Sequence, residues 1–349
     1  MKRVPFLSFL FSMLLTSTSY AQLPPHMSGV GMFTWQETVK VGDTAFAEEA
    51  KQHGLSHVIV KSHDGSTWGT KMDGVWKPAV GRGLIAELHK RNIRAYTYFT
   101  ARLASDDANI DESIKLAERT LEWGADGVIV DDLGLFGKSR EKWIRLFAGL
   151  RTVVNKYPGT ILGASAFPHL MRWDDCPWNV AIQYSDYFLP QNYWRLFREM
   201  EPELAIAYGQ SNFDALRSYT ESACKKNKSA CKKTKEPCKL VPVGMSYGEK
   251  VTAEQIETFL LSAKPFYAGV SLFRWGTVPE GGWDVIKKMA AQYTHNRPLR
   301  QISSIDIVRG PQKPTPPETQ PLPPKKPGVA ISPFPYKPDT TARCGACPP

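Results

Sequence analysis

Beyond its first twenty or so residues the chain holds no apolar run long enough to cross a bilayer. Histidine is scarce and scattered: the seven present form no His-x-His or His-Glu-x-x-His pattern, so the usual zinc-hydrolase ligand spacing is absent. The first apolar strand is not followed by a glycine-rich phosphate turn, which argues against an open dinucleotide-binding sheet. No metal ligand set and no cofactor is therefore expected. Cysteine is also sparse, with six in 349 residues: Cys176, Cys224, Cys231, Cys238, Cys344 and Cys347.

The N-terminus carries what those absences leave room for. Lys2 and Arg3 precede an apolar run from Phe6 to Leu15, and Ser19-Tyr-Ala21 is a small-x-small cleavage site. This pattern predicts a signal peptide over residues 1–21 and an exported protein, periplasmic or extracellular, with no membrane-spanning segment after cleavage. Export makes disulfides the expected state of the cysteines. Cys224, Cys231 and Cys238 recur every seven residues. On one helix such neighbours lie about 10 Å apart, too far to bond to each other. Either the insert is looped, or its cysteines pair outward.

Charge is unevenly placed. The net +10 is accounted for by the signal peptide, a Cys/Lys-rich insert at about 222–239 and residues 299–349, which leave the body slightly negative. Basicity confined to an insert and a tail does not describe a nucleic-acid groove. In an exported protein it suits cell-envelope polymers or acidic polysaccharide, or a solvated loop. Residues 311–349 hold thirteen prolines without helical or strand periodicity, which predicts an extended tail over 299–349.

Between the signal and the tail, apolar strands alternate with helices. Strands are predicted at Gly29–Trp35, His57–Lys61, Ile93–Phe99, Gly127–Val130, Thr160–Ala166, Asp186–Trp194, Leu240–Tyr247 and Ala268–Trp275. Asn109 with Glu112, and Thr252 with Gln255, read as capping boxes opening helices. Eight such units over residues 27–298 are the length and rhythm of a (β/α)8 TIM barrel, an α/β fold.

In that fold the chemistry sits at the C-terminal strand ends. The fourth strand there ends in two carboxylates, Asp131 and Asp132. Alternation puts Asp131 on one face with Gly127 and Ile129, and Asp132 on the other. Aromatic residues recur at the predicted strand ends: Trp35, Tyr98, Tyr193, Tyr247 and Trp275. Such rings stack on the C–H faces of sugars. Lys61, His63, Gln191 and Arg274 are expected in the same mouth.

Asp126-Gly-Val-Ile-Val-Asp131 resembles the fourth-strand motif of barrel glycosidases. In chitinase-like enzymes the pattern is Asp-Gly-x-Asp-x-Asp-x-Glu; here Ile129 and Leu133 replace the middle Asp and the Glu, so that mechanism is not available. The segment looks closer to glycoside hydrolase family 114, the endo-α-1,4-polygalactosaminidase group, whose fourth strand ends Asp-Gly-Val-x-x-Asp. The resemblance implies a polysaccharide substrate, with Asp131 as nucleophile or charge stabiliser. Glycoside hydrolysis needs a second carboxyl. The sixth strand, ending Gln191-Asn-Tyr193, offers none. The candidates are Asp64 after strand two, Glu249 after strand seven, and Asp132. A non-catalytic glycan-binding barrel is the alternative reading.

Overall fold

The computed structural model describes residues 23–72, 75–101, 107–131, 133, 139–168, 177–195, 200–226 and 236–293. All lie in the first of two units, Met1–Pro311. The predicted signal peptide, the Pro-rich tail with its Cys344-x-x-Cys347, Cys176, Cys231 and Asp132 lie outside the described residues.

Eight parallel strands form the sheet in chain order: β1 (Gly29–Thr34), β2 (His57–Asp64), β3 (Arg94–Thr100), β4 (Gly127–Asp131), β5 (Ile161–Ala166), β6 (Tyr187–Pro190), β7 in two pieces (Lys239–Leu240 and Val243–Met245) and β8 (Gly269–Phe273). A helix follows each strand: α1 (Asp43–Gln52), α2 (Arg82–Lys90), α3 (Asp107–Glu122), α4 (Arg140–Val154), α5 (Trp178–Tyr184), α6 (Pro202–Lys226), α7 (Ala253–Ala263) and α8 (Gly282–Tyr293). Each strand pairs with the next, and β1 pairs with β8. The remaining gap is closed by β7. Its first piece pairs with β6 and its second with β8. Val241 donates to the Phe188 carbonyl at 2.9 Å, and Pro242, which has no N–H to give, accepts from Ser271 at 3.0 Å. Pairing with β8 thus begins at the proline, while Val243 still bridges Gln191 on the β6 side. The fold is the expected (β/α)8 barrel.

Inward positions fill the interior in layers, small against large. A Cβ on Gly31 would overlap the His57 imidazole, one on Gly127 would meet Ile161, and one on Gly163 would crowd Ile129. His57 uses the room left by Gly31: its Nε2 lies 2.8 Å from Ser271 Oγ and its Nδ1 3.2 Å from the Ser28 carbonyl. Outward positions such as Val58, Val60, Val128 and Leu162 are fully buried. They meet the apolar faces of the helices, among them Phe46, Leu88, Ile110, Trp143 and Phe259.

Local signals set several helix ends. Thr252 caps α7, its hydroxyl accepting the Gln255 N–H at 3.3 Å, as predicted. The box read at Asn109 is not a helix start, because α3 already runs from Asp107, where Asp107 and Asp111 both pair with Arg145 of α4. The short helix α5 has no counterpart in the sequence reading, since Trp178 to Gln183 are all buried and leave no polar stripe to reveal a period. The loop after β2 also forms unpredicted hairpins: Thr67–Trp68 folds back on β2, and Thr70–Met72 pairs with Val75–Lys77.

Gly31→Ala should destabilise the barrel by about 3 kcal/mol, read from urea unfolding, because the new methyl must displace a buried imidazole. Burial pushes His57 down to about 4, helped by the Arg94 charge and partly offset by the Ser28 carbonyl. Unfolded, the same imidazole takes its proton near pH 6.5. Its contribution is therefore full above about pH 6.5 and falls by something on the order of 3 kcal/mol as pH drops toward 4. Unfolding midpoints of wild type and His57→Asn between pH 7 and pH 4 should show the shallower slope in the variant.

Candidate active site

The C-terminal mouth has a polar half and an aromatic half. The polar half runs from β2 to β6. Asp64, Thr100 and Asp131 stand in register on three adjacent strands. Lys61 Nζ donates to Thr100 Oγ1 at 2.7 Å and lies 3.9 Å from Asp64 Oδ1 and 5.3 Å from the Tyr98 ring. Gln191 Nε2 donates to Asp131 Oδ1 at 2.8 Å and to Ser165 Oγ at 3.2 Å. Asp131 is only 7% exposed, so its carboxylate is held by the barrel wall and not by solvent. The aromatic half is a continuous group: Phe167, Tyr193, Tyr247, Phe273, Phe33 and Tyr98, linked by centroid distances of 5.2 to 6.5 Å.

A β-bulge decides which residues of β2 reach the mouth. Lys61 pairs with Tyr98, but His63 pairs with Phe99 and Asp64 with Thr100, so the register slips at Ser62. Simple alternation would keep His63 on the Lys61 face and turn Asp64 away. The extra residue reverses both. His63 is fully buried on the outer side, its ring 4.2 Å from Phe99 and nearly parallel to it, with Nδ1 2.9 Å from Ser62 Oγ. Burial, with the nearby Lys61 charge, lowers its pKa well below the ordinary imidazole value. The placement of His63 in the mouth is thus corrected, and Asp64 takes the inner face.

Trp275 is a second correction. Its indole packs against Phe46 of α1 at 4.4 Å and Trp283 of α8 at 4.9 Å, between sheet and helices. It lies two residues beyond the end of β8, where the strand no longer directs it, and the helices claim it. Gln191 and Tyr193 face the mouth, while Asn192 between them packs onto Gly209 of α6. Tyr98 and Tyr247 lie in the aromatic half, and Trp35 lies on the rim under the Arg274 guanidinium at 4.6 Å. Glu249 is exposed in the turn after β7.

Two parts of the fourth-strand motif are structural. Asp126 sits at the opposite end of β4, where it accepts from the Ala95 N–H at 2.7 Å, His89 Nε2 at 2.9 Å and Arg94 at 2.5 Å. Burial alone would raise its pKa; the His89 hydrogen bond and charge, the Ala95 N–H and Arg94 outweigh it and hold the carboxyl below its usual value. Leu133 is fully buried. Gly244-Met-Ser-Tyr-Gly248 matches the Gly-x-Ser-x-Gly pattern of serine-hydrolase elbows, but Ser246 is fully buried and donates to the Arg274 carbonyl at 3.1 Å.

Sequence reasoning passed over Phe33, Phe273, Thr100 and Ser165, which strand alternation alone would have placed inward. It also passed over Glu37, whose carboxylate gathers the Thr34 hydroxyl and the Trp35 and Gln36 amides at 2.8 to 3.1 Å and so shapes the exit of β1. Among the described residues no three His, Cys, Asp or Glu side chains cluster as a metal set, and no helix is long and apolar enough to cross a membrane.

Comparison with solved structures agrees with this geometry. An N-acetylglucosaminidase of glycoside hydrolase family 18 from Paenibacillus barengoltzii superposes with a TM-score of 0.50, covering 75% of this chain and 99% of its own, at 12% identity. Active domain 2 of a thermostable chitinase from Pyrococcus furiosus gives 0.51, covering 78% and 96%, at 10% identity. At these identities the likeness establishes the fold: a TIM barrel of the kind found in glycoside hydrolases. No protein-family model and no curated protein sequence matches the chain.

Asp126→Asn should cost about 3 kcal/mol, because it strips a buried carboxylate from Arg94 and from the His89 hydrogen bond. Asp131→Asn should cost less than about 1 kcal/mol, since the amide oxygen still accepts from Gln191. Urea unfolding of the two variants at pH 7 separates the structural acid from the one in the mouth.

Proposed function

We propose that this protein is an exported glycoside hydrolase that cleaves a cell-envelope or extracellular polysaccharide. Asp131 is the nucleophile or electrostatic stabiliser at the anomeric carbon, and Asp64 is the second carboxyl that delivers and takes the proton. The observation that carries this reading is the row Asp64, Thr100, Asp131 across β2, β3 and β4 at the barrel mouth. Two strand spacings set their backbones about 10 Å apart, a span across which two side chains can flank one glycosidic bond. Gln191 fixes the Asp131 rotamer from β6, the position where the sequence offers no acid. The aromatic half supplies apolar faces for sugar rings. Within this class, the Asp-Gly-Val-x-x-Asp strand end keeps the chain nearest to glycoside hydrolase family 114.

One observation favours a second reading, a glycan-binding barrel without turnover. The amide Gln191 occupies the sixth-strand position beside Asp131, leaving Asp64 as the one other described carboxylate in that row. Reducing-end release from a panel of envelope and extracellular glycans distinguishes the two. Hydrolysis is expected, with Asp131→Asn and Asp64→Asn each lowering kcat by about a thousandfold. Full turnover in Asp131→Asn would rule out its role, and glycan binding without release by the wild type would establish the second reading.

A further inference from the structure

We infer that Arg274 selects glycans that carry a carboxylate, reading it on the β8–β1 side of the mouth. The inference rests on the glycan-hydrolase reading above and narrows its substrate class to acidic glycans, away from the galactosamine polymers that the family 114 resemblance names. Arg274 directly follows β8, with its guanidinium carbon 4.6 Å from the Trp35 ring centroid and 6.0 Å from that of Phe273. Stacking occupies the face of a guanidinium and leaves its edge donors in plane. Among the described residues those donors are unused: the Arg274 side chain has no hydrogen-bond or ion-pair partner there, and its buried Nε has no acceptor.

Among the described residues, the Lys61 and Glu37 charges beside it are already engaged. Lys61 is held by Thr100, Asp64 and the Tyr98 ring. Glu37, on the β1 side, commits Oε2 to the Thr34 hydroxyl and to the amides of Trp35 and Gln36. Arg274 is therefore a partly buried cation with open donors, a cost that an arriving anion removes. A carboxylate matches the planar fork of donors. The neighbouring Phe273 belongs to the aromatic group that also holds Tyr193 and Tyr247. A uronic acid presents an apolar ring face and, at the edge of that same ring, a carboxylate. One sugar residue can use both features. A polycationic galactosamine chain would meet the unpaired guanidinium and be disfavoured.

The test compares three oligosaccharide probes of matched length on the full chain: oligogalacturonate, its carboxyl-reduced neutral form, and oligogalactosamine. Calorimetric binding and reducing-end release are read for wild type, Arg274→Gln and Arg274→Lys. The wild type is expected to favour oligogalacturonate over the neutral form by about tenfold. Arg274→Gln should bring that ratio to near one with the thermal midpoint retained, and Arg274→Lys should keep only part of it. A wild type that binds or cleaves the neutral or cationic chain as well as the acidic one overturns the inference and leaves the hydrolase reading standing. An acidic preference that survives Arg274→Gln also overturns it. Failure to bind or cleave any glycan removes both.

Discussion

Closure of the strand ring is the constraint on which the rest depends. In a parallel sheet every backbone N–H and C=O wants a neighbour on each side, and a free edge would leave a row of them unmet. Here the ring is completed by a strand in two pieces that pairs with β6 on one side and with β8 on the other. Closure forces the inward positions to share one narrow interior. That is why Gly31, Gly127 and Gly163 lack side chains where His57, Ile161 and Ile129 need the space.

The same closure brings distant parts of the chain together at the mouth. Asp131 and Gln191 are sixty positions apart in sequence and hydrogen-bonded in space. Phe33 from the first strand meets Phe273 from the last. The result is a mouth with polar groups on β2 to β6 beside a continuous group of aromatic rings drawn from strands around the whole ring.

Much of the scaffold could be read before folding. The apolar runs, their spacing and the helices between most of them predict eight units; alternation separates Asp131 from Asp132, and the glycosidase resemblance selects Asp131 as the inward one. The misplacements have physical causes. His63 and Asp64 exchanged faces because one extra residue at Ser62 slips the register, and no local pattern announces a bulge. Trp275 looked like a strand-end platform, but β8 ends at Phe273, and beyond it Phe46 and Trp283 take the ring. The α5 helix hid because it is buried on every side.

What the amino-acid order determined by itself is the fold class and the pair of acids at the end of β4, because strand and helix periodicities of two and 3.6 are carried by each segment alone; the choice of Asp131 from that pair came from the resemblance. What only the tertiary structure decided is the company that acid keeps. Register across β2, β3 and β4 set Asp64 and Thr100 in its row, and Gln191 reached it from β6. It also separated Lys61, which is paired, from Arg274, which is stacked and unpaired. Pairing register and the partner of a charge depend on strands far apart in sequence, and their geometry exists only once the ring has closed.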